Sequence, residues 1–246
     1  LQSGTDSTGN DYLDARSQTL SGEVREDFDG DGDVADADEG IPAVTVELFT
    51  DPDGDGDPAD GTVVGTSVTD SSGAWSFTDV TPGDYVVVES DPADYVSTGD
   101  SSGTNDNEIP VSIVSGVDST GHAFLDAQPQ EISGAVLDDV DGDGDFTDSD
   151  DGIAGVTVSL FLDANSDGTA DGAVLATTTT DASGDYVFND VTPGAYVVVE
   201  TDPADYASTA DTDGTNDNEI AVRLHSGTDS TGNDYLDSQL RDISGE

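Results

Sequence analysis

The chain has 246 residues and a formal net charge of -52, from 56 Asp and Glu against four cations, Arg16, Arg25, Arg223 and Arg241. Such a field repels nucleic acid and anionic membrane surfaces and attracts divalent cations. There is no cysteine to staple a fold, and no run approaches the ~18 apolar residues of a membrane span.

Leu, Ile, Val and Phe make up about a fifth of the chain, at the edge of the range where low hydrophobicity and high charge leave a chain disordered. Regular apolar runs point the other way. The two together predict a protein that folds once cations neutralise its loops and is labile without them. Neither a signal peptide nor an initiating Met is present, and the sequence starts inside a repeat, so a piece of a longer, processed chain is expected.

The repeat is large. Leu20-Ser21-Gly22 returns as Ile132-Ser133-Gly134 and as Ile243-Ser244-Gly245, spacings of 112 and 111 residues, and Ser3–Asp14 is identical to Ser226–Asp237. This predicts the last strand region of one module (1–19), two complete modules (20–131 and 132–242) and the start of another (243–246). Modules of this size can each own a core, so beads on a rod is the expected form.

Within a module, short apolar runs are bounded by Gly, Pro and Asp. Strands are expected at Leu20–Val24, Ala43–Phe49, Val63–Thr69, Ala74–Thr78, Asp84–Glu89, Glu108–Val114 and Gly121–Asp126. In Ala43–Phe49 the alternation puts Val44, Val46 and Leu48 on one face, as Val156, Val158 and Leu160 are in the copy. Helical periodicity is absent and β-branched residues dominate, so the fold class is all-β: tandem antiparallel β-sandwiches. Trp75 and Phe77, with Tyr186 and Phe188 in the copy, are expected in the core rather than on a sugar-binding platform. Thr81-Pro82-Gly83, repeated as Thr192-Pro193-Gly194, predicts a type II turn.

Between the first two strands lies an aspartate ladder, Asp27–Asp38, repeated as Asp139–Asp150. Counting Asp27 as position 1, carboxylates fall at 1, 3, 5, 7 and 12 (Asp27, Asp29, Asp31, Asp33, Asp38), with Gly32 at 6. The copy has Asp139, Asp141, Asp143, Asp145 and Asp150, with Gly144 at 6. That is the ligand spacing of the twelve-residue calcium loop, in which the position-6 glycine permits a sharp turn around one ion. Asp replaces the usual bidentate Glu at position 12, so one ligand oxygen is lost or supplied by water. Two copies with one spacing weigh against a merely solvated turn. A second acidic loop, Asp51, Asp53, Asp55, Asp57 and Asp60, repeats as Asp163, Asn165, Asp167, Thr169 (by its carbonyl) and Asp171, again with oxygen ligands. The Asp57–Asp60 stretch carries one inserted residue, so the two loops are expected to close differently. A third cluster, Asp100, Asp106 and Glu108 with Asp211, Asp217 and Glu219, fits ligands or turn caps equally, and Asp118, Asp126, Asp229 and Asp237 lie on a segment able to pair nearby.

These motifs resemble a known group. The aspartate loop followed by Gly152–Phe161, Thr177–Phe188 and Pro193–Tyr206 is similar to the B-type domains of serine–aspartate-repeat bacterial surface adhesins and, more distantly, to collagen-adhesin B-type and pilin modules. The resemblance covers each full module and implies a Greek-key sandwich, several calcium ions per module and a stalk projecting a binding head from a cell surface. Many pilin-type relatives carry a Lys–Asn isopeptide bond promoted by a glutamate, whose place resembles that of Glu89 and Glu200. With no lysine here that bond cannot form, which leaves calcium as the staple.

No Ser–His–Asp set, Cys nucleophile or Lys base recurs, so the chain is not expected to be an enzyme. His122 and His225 are replaced in sister modules and are expected at the surface. The function expected is an extracellular, calcium-stiffened stalk or filament whose modules meet their neighbours head to tail, with a homopolymeric filament as one form. The alternatives are an adhesive module for a glycan, protein or mineral surface, with Tyr95 and Tyr206 as its exposed-looking aromatics, and a spacer between catalytic domains elsewhere. Acidity from adaptation to brine is a further account of the charge.

Overall fold

The computed structural model describes residues 16–36, 38–147 and 150–241. The expected segment 1–19 is therefore described only from Arg16, and 243–246 lie outside the described residues. In chain order the strands are β1 (Gln18–Glu26), β2 (Thr45–Thr50), β3 (Val63–Val68), β4 (Ala74–Val80), β5 (Gly83–Ser90), β6 (Val96–Asp100), β7 (Glu108–Ile113) and β8 (Ser119–Ala127). Then follow β9 (Gln130–Asp138), β10 (Asp151–Gly152), β11 (Thr157–Leu162), β12 (Asp171–Thr179), β13 (Asp185–Val191), β14 (Gly194–Thr201), β15 (Tyr206–Asp211), β16 (Glu219–Leu224) and β17 (Tyr235–Gln239). A single 3-10 turn, Pro58–Asp60, is the one helical element among the described residues.

These strands make two sandwiches, each of two facing sheets. The first has the orders β4-β1-β8-β6 and β3-β2-β5-β7; the second has β10-β9-β17-β15, with β13 also on β9, and β12-β11-β14-β16. Non-consecutive neighbours in all four sheets give the Greek-key connectivity, and in the second sandwich the ladders are antiparallel with one exception. β17 runs parallel to β9, through Tyr235–Val136 to Asp237–Asp138, so the last strand of the sandwich closes beside its first. By contact the described chain divides into two compact units. One takes the chain up to Arg25 with 39–91 and 99–125; the other takes 26–38, 92–98 and the chain from Asp126.

The alternation read along the sequence places the core. Val44, Val46 and Leu48 are buried, as are Val156, Val158 and Leu160, with Thr45 and Thr157 facing out. Trp75 and Phe77 lie inside with Phe124, and Tyr186 and Phe188 inside with Tyr235. Close approach needs Gly134: a Cβ there would lie 2.0 Å from the carbonyl oxygen of Asn233 and 2.9 Å from the Tyr186 hydroxyl.

Three features depart from expectation. β6 and its copy β15 have no apolar alternation and add a strand to each sandwich beyond the seven that the runs suggested, and the second also has the two-residue β10. Gly83 and Gly194 do not take the second position of a type II turn. They open β5 and β14, and the left-handed residues ahead of them are Asp79 (φ 59) and Asp190 (φ 56). The connection is tied instead by tyrosine, whose hydroxyl donates to the carbonyl four residues back: Tyr85 to Thr81 at 2.9 Å and Tyr196 to Thr192 at 2.7 Å. Finally, neither histidine is a plain surface residue. His122 stacks on Trp75 and meets the Ser119 hydroxyl at 2.8 Å, and burial lowers its pKa. His225 stacks on Phe28 with ring centroids 4.5 Å apart. Tyr206 is likewise half-buried, its hydroxyl against Asp138, so the expected exposed aromatics are partly covered.

Candidate metal centres

Each aspartate loop begins with a carboxylate that the fold has already buried. Asp27 and Asp139 follow β1 and β9 and are 2% exposed; Asp51 and Asp163 follow β2 and β11 and are 7% exposed. The same local arrangement holds all four. Asp27 accepts from the amides of Gly30 (2.8 Å) and Gly32 (3.0 Å), and Asp51 from those of Gly54 (2.8 Å) and Gly56 (3.0 Å). Asp139 accepts from Gly142, Asp143 and Gly144, and Asp163 from Asp167 and Gly168. The position-6 glycine therefore bonds the position-1 carboxylate in every loop, and it does so with left-handed backbone, φ 72 at both Gly32 and Gly144. Burial works against the charge of Asp139, but a hydrogen bond from Thr209 and the three amides hold its carboxyl below the usual range.

Around these anchors the next carboxylates converge. Oxygens of Asp27, Asp29 and Asp31 all lie within 4.8 Å of one another, as do those of Asp51, Asp53 and Asp55, and of Asp139, Asp141 and Asp143. Oxygens held 2.3–2.6 Å from one calcium ion can be at most about 5.2 Å apart, so the three sets fit a shared ion of that kind. In the fourth loop Asn165 stands in for the middle carboxylate; its Oδ1 accepts from the Asp167 amide at 3.0 Å. The Ala164 amide reaches Asp171 at 3.1 Å, drawing that carboxylate back to the loop.

Asp33, Asp57 and Asp145, at position 7, accept from the amides of Ala35, Ala59 and Thr147, two residues on, as Asp31, Asp55 and Asp143 do from the position-7 amides. Calcium loops generally take a backbone carbonyl at position 7. Asp60 faces its own loop: partial desolvation first, then Asp53, Asp55, Asp51 and Asp57, push its carboxyl up. Asp36, which the twelve-residue template passes over, has the same surroundings. Desolvation, then Asp31, Asp33, Asp29 and Asp27, raise it. Both sit at position 10, so comparison of the two loops, rather than either against the template, carried the signal. Asp38 and Asp150 are half-buried at the ends of their loops.

The third cluster divides. Glu219 reaches the second loop, accepting from the Ala170 amide at 3.3 Å, and Glu108 is raised by desolvation, Asp106 and Asp57. Asp100 and Asp211 cap their own turns, from Ser102 and from Asn218 and Asp217. Asp106 and Asp217 accept from the amides of Glu108 and Glu219, two residues on, as turn caps do. Asp118 and Asp229 accept from the amides of Thr19 and Glu131. A further group, buried Glu200 and Asp237 with exposed Asp202, brings oxygens within 4.8 Å of one another in the second sandwich. Sequence reasoning placed none of these three among the metal ligands, because no loop spacing links them.

The family profile of the SdrD B-like domain matches residues 18–122 and 130–243. Serine-aspartate repeat-containing protein F of Staphylococcus epidermidis is 32% identical over 192 residues, 76% of this chain and 10% of that protein. Serine-aspartate repeat-containing protein D of Staphylococcus aureus (strain Newman) is 31% identical over 229 residues, 87% of this chain and 16% of that protein. The chain thus spans a small part of these relatives. Among solved structures, the shaft pilin SpaA from Lactobacillus rhamnosus GG aligns with 93% of this chain and 100% of its own, at 14% identity and a TM-score of 0.34.

Proposed function

The chain belongs to the SdrD B-like domain family, and from that premise we propose that it is a calcium-stiffened stretch of tandem sandwiches in an extracellular stalk. The observation that carries the reading is the fourfold use of one device: a buried aspartate, pinned by a glycine amide, with further oxygen ligands gathered around it. Hard, oxygen-only donors suit Ca²⁺, and extracellular modules of this sort bind at ~10⁻⁴–10⁻³ M, so the medium outside cells keeps them filled. The modules, 20–131 and 132–242, serve as structural rather than catalytic units, joined to their neighbours head to tail and exposed at the cell surface. Only Gln128 and Pro129 separate β8 from β9, which supports a joint with little slack.

Two measurements test this. Asp139→Ala removes the acceptor of three amides and a ligand together. Calcium affinity of that loop is expected to fall at least tenfold, whereas Asp145→Ala, which loses a turn cap, falls by less than about threefold. Equal effects in a calorimetric titration count against the assigned roles. A longer array of these modules is expected to form stiff rods under negative stain in millimolar calcium and to go slack in chelator. Strings with variable joint angles in calcium would refute the stalk.

A further inference from the structure

Glu200 and Asp237 meet from opposite sheets. Glu200 lies near the end of β14, paired with Val158 of β11, and Asp237 lies in β17, paired with Ser208 of β15 and Asp138 of β9. Both are enclosed, 3% and 0% exposed, in a chain where every other inward position of these strands is apolar or aromatic. No N–H or O–H of the described residues reaches either oxygen of Glu200 or either oxygen of Asp237. What reaches them is another carboxylate, Asp202, whose oxygen completes a set within 4.8 Å.

Asn218 sits beside this set. Its carbonyl accepts from the Glu200 amide at 3.0 Å, its side-chain amide donates to Asp202 Oδ1 at 2.6 Å, and its own Oδ1 is buried with no partner. Asn218 takes left-handed backbone (φ 63) to do so. The first sandwich repeats the feature. Asn107 (φ 61) accepts from the Glu89 amide at 3.0 Å and donates to Asp91 Oδ1 at 2.6 Å, and its Oδ1 is again buried and unpartnered. Asp126, the counterpart of Asp237 in sequence, is likewise 0% exposed.

Buried carboxylates such as Glu200 and Asp237 are tolerated only when neutralised. Their neighbours in the set are themselves acids, Asp202 beside both and Asp138 paired with Asp237. A proton satisfies one oxygen of such a set. A divalent ion satisfies all of them, and the donors present are hard oxygens without nitrogen or sulfur, the set that calcium takes.

We propose that Glu200, Asp202, Asp237 and the Oδ1 of Asn218 form an interior calcium site that clamps the two sheets of the sandwich, distinct from the four loops. The site deepens the calcium reading but shares no ligand with the loops, so each can fail alone. The test counts Ca²⁺ bound per chain at saturation, by equilibrium dialysis and native mass spectrometry, on the full chain. Glu200→Gln, which matches the shape of a protonated glutamate, is expected to lose one bound ion per chain and to keep the loop ions. An unchanged count shows that the carboxylates share protons instead and overturns the site. Should Glu200→Gln not fold, Asp202→Asn, at an exposed position, serves. It is expected to weaken one ion about tenfold, and unaltered binding overturns the site equally. Asp163→Ala reports on a loop alone. A loss there with none in Glu200→Gln refutes the interior site and leaves the loops standing; the reverse supports the interior site and refutes that loop.

Discussion

Stripping calcium from the 246-residue chain at pH 8 is expected to abolish most of the far-UV strand signal and to red-shift the emission of Trp75, both recovering on readdition. Trp75 is the chain's one tryptophan and is 3% exposed among Phe77, Phe124 and His122, so its emission reports on the core of the first sandwich. The cause is local repulsion. Three carboxylates within 4.8 Å repel in every pair, at about 4 kcal/mol each for an effective dielectric constant near 20, an upper figure that water reduces for the exposed members. An occupied site removes the repulsion and adds up to about 1.4 kcal/mol when millimolar calcium stands near ~10 times its dissociation constant. Several such sites together match the ~5–15 kcal/mol that holds an ordinary domain folded. Neither disulfides nor lysine-based cross-links are available to substitute. An unchanged spectrum from protein shown by metal analysis to be ion-free would sink the idea and return the charge to an account in terms of salt.

How much of this could be read from the sequence depends on what kind of pattern held it. Alternation fixed the inner faces of β2 and β11, because a half-buried strand repeats every two residues whatever its neighbours do. β6 and β15 escaped because V-S-T-G-D and Y-A-S-T-A-D bury backbone and small groups, which leave no period. The loops were legible because their ligands are local: a buried Asp and a left-handed Gly five residues on specify most of the geometry. Position 10 was legible only by comparing Asp36 with Asp60, since this loop turns back earlier than the template. The Glu200 group was illegible in principle, because its members come from two sheets and are brought together by the Greek-key path alone. The type II turn failed for a related reason. Proline and glycine permit that turn, but the Tyr85 and Tyr196 hydroxyls, arriving from within the sandwich, select another.

Acid should rescue the metal-free chain and harm the calcium-loaded one. Between pH 9 and 5, the ion-free protein is expected to regain strand signal, while protein in millimolar calcium loses stability over the same range. For the ion-free state, Glu200 and Asp237 stand raised in the fold, to about 9 and about 7. A raised acid binds its proton more tightly folded than unfolded, so its stabilising contribution is complete below the unfolded value, near 4, and is lost as pH climbs through the folded one. The groups facing it point the same way: Asp202, Asp138 and Asp237 are acids, and Tyr235 is a phenol held neutral by burial. Relief of the overall -52 charge adds to this slope. With calcium the sign reverses, because the ligands bind the ion as carboxylates and protons compete for them. Asp139, held below the usual range, adds a loss at still lower pH, since a depressed acid stabilises only above its unfolded value. Urea midpoints at pH 5, 7 and 9, with exhaustively dialysed and calcium-saturated protein, read both slopes. Parallel slopes in the two states mean that ion and proton do not compete for one set of oxygens, and the carboxylates then hold the fold by some means other than a shared cation.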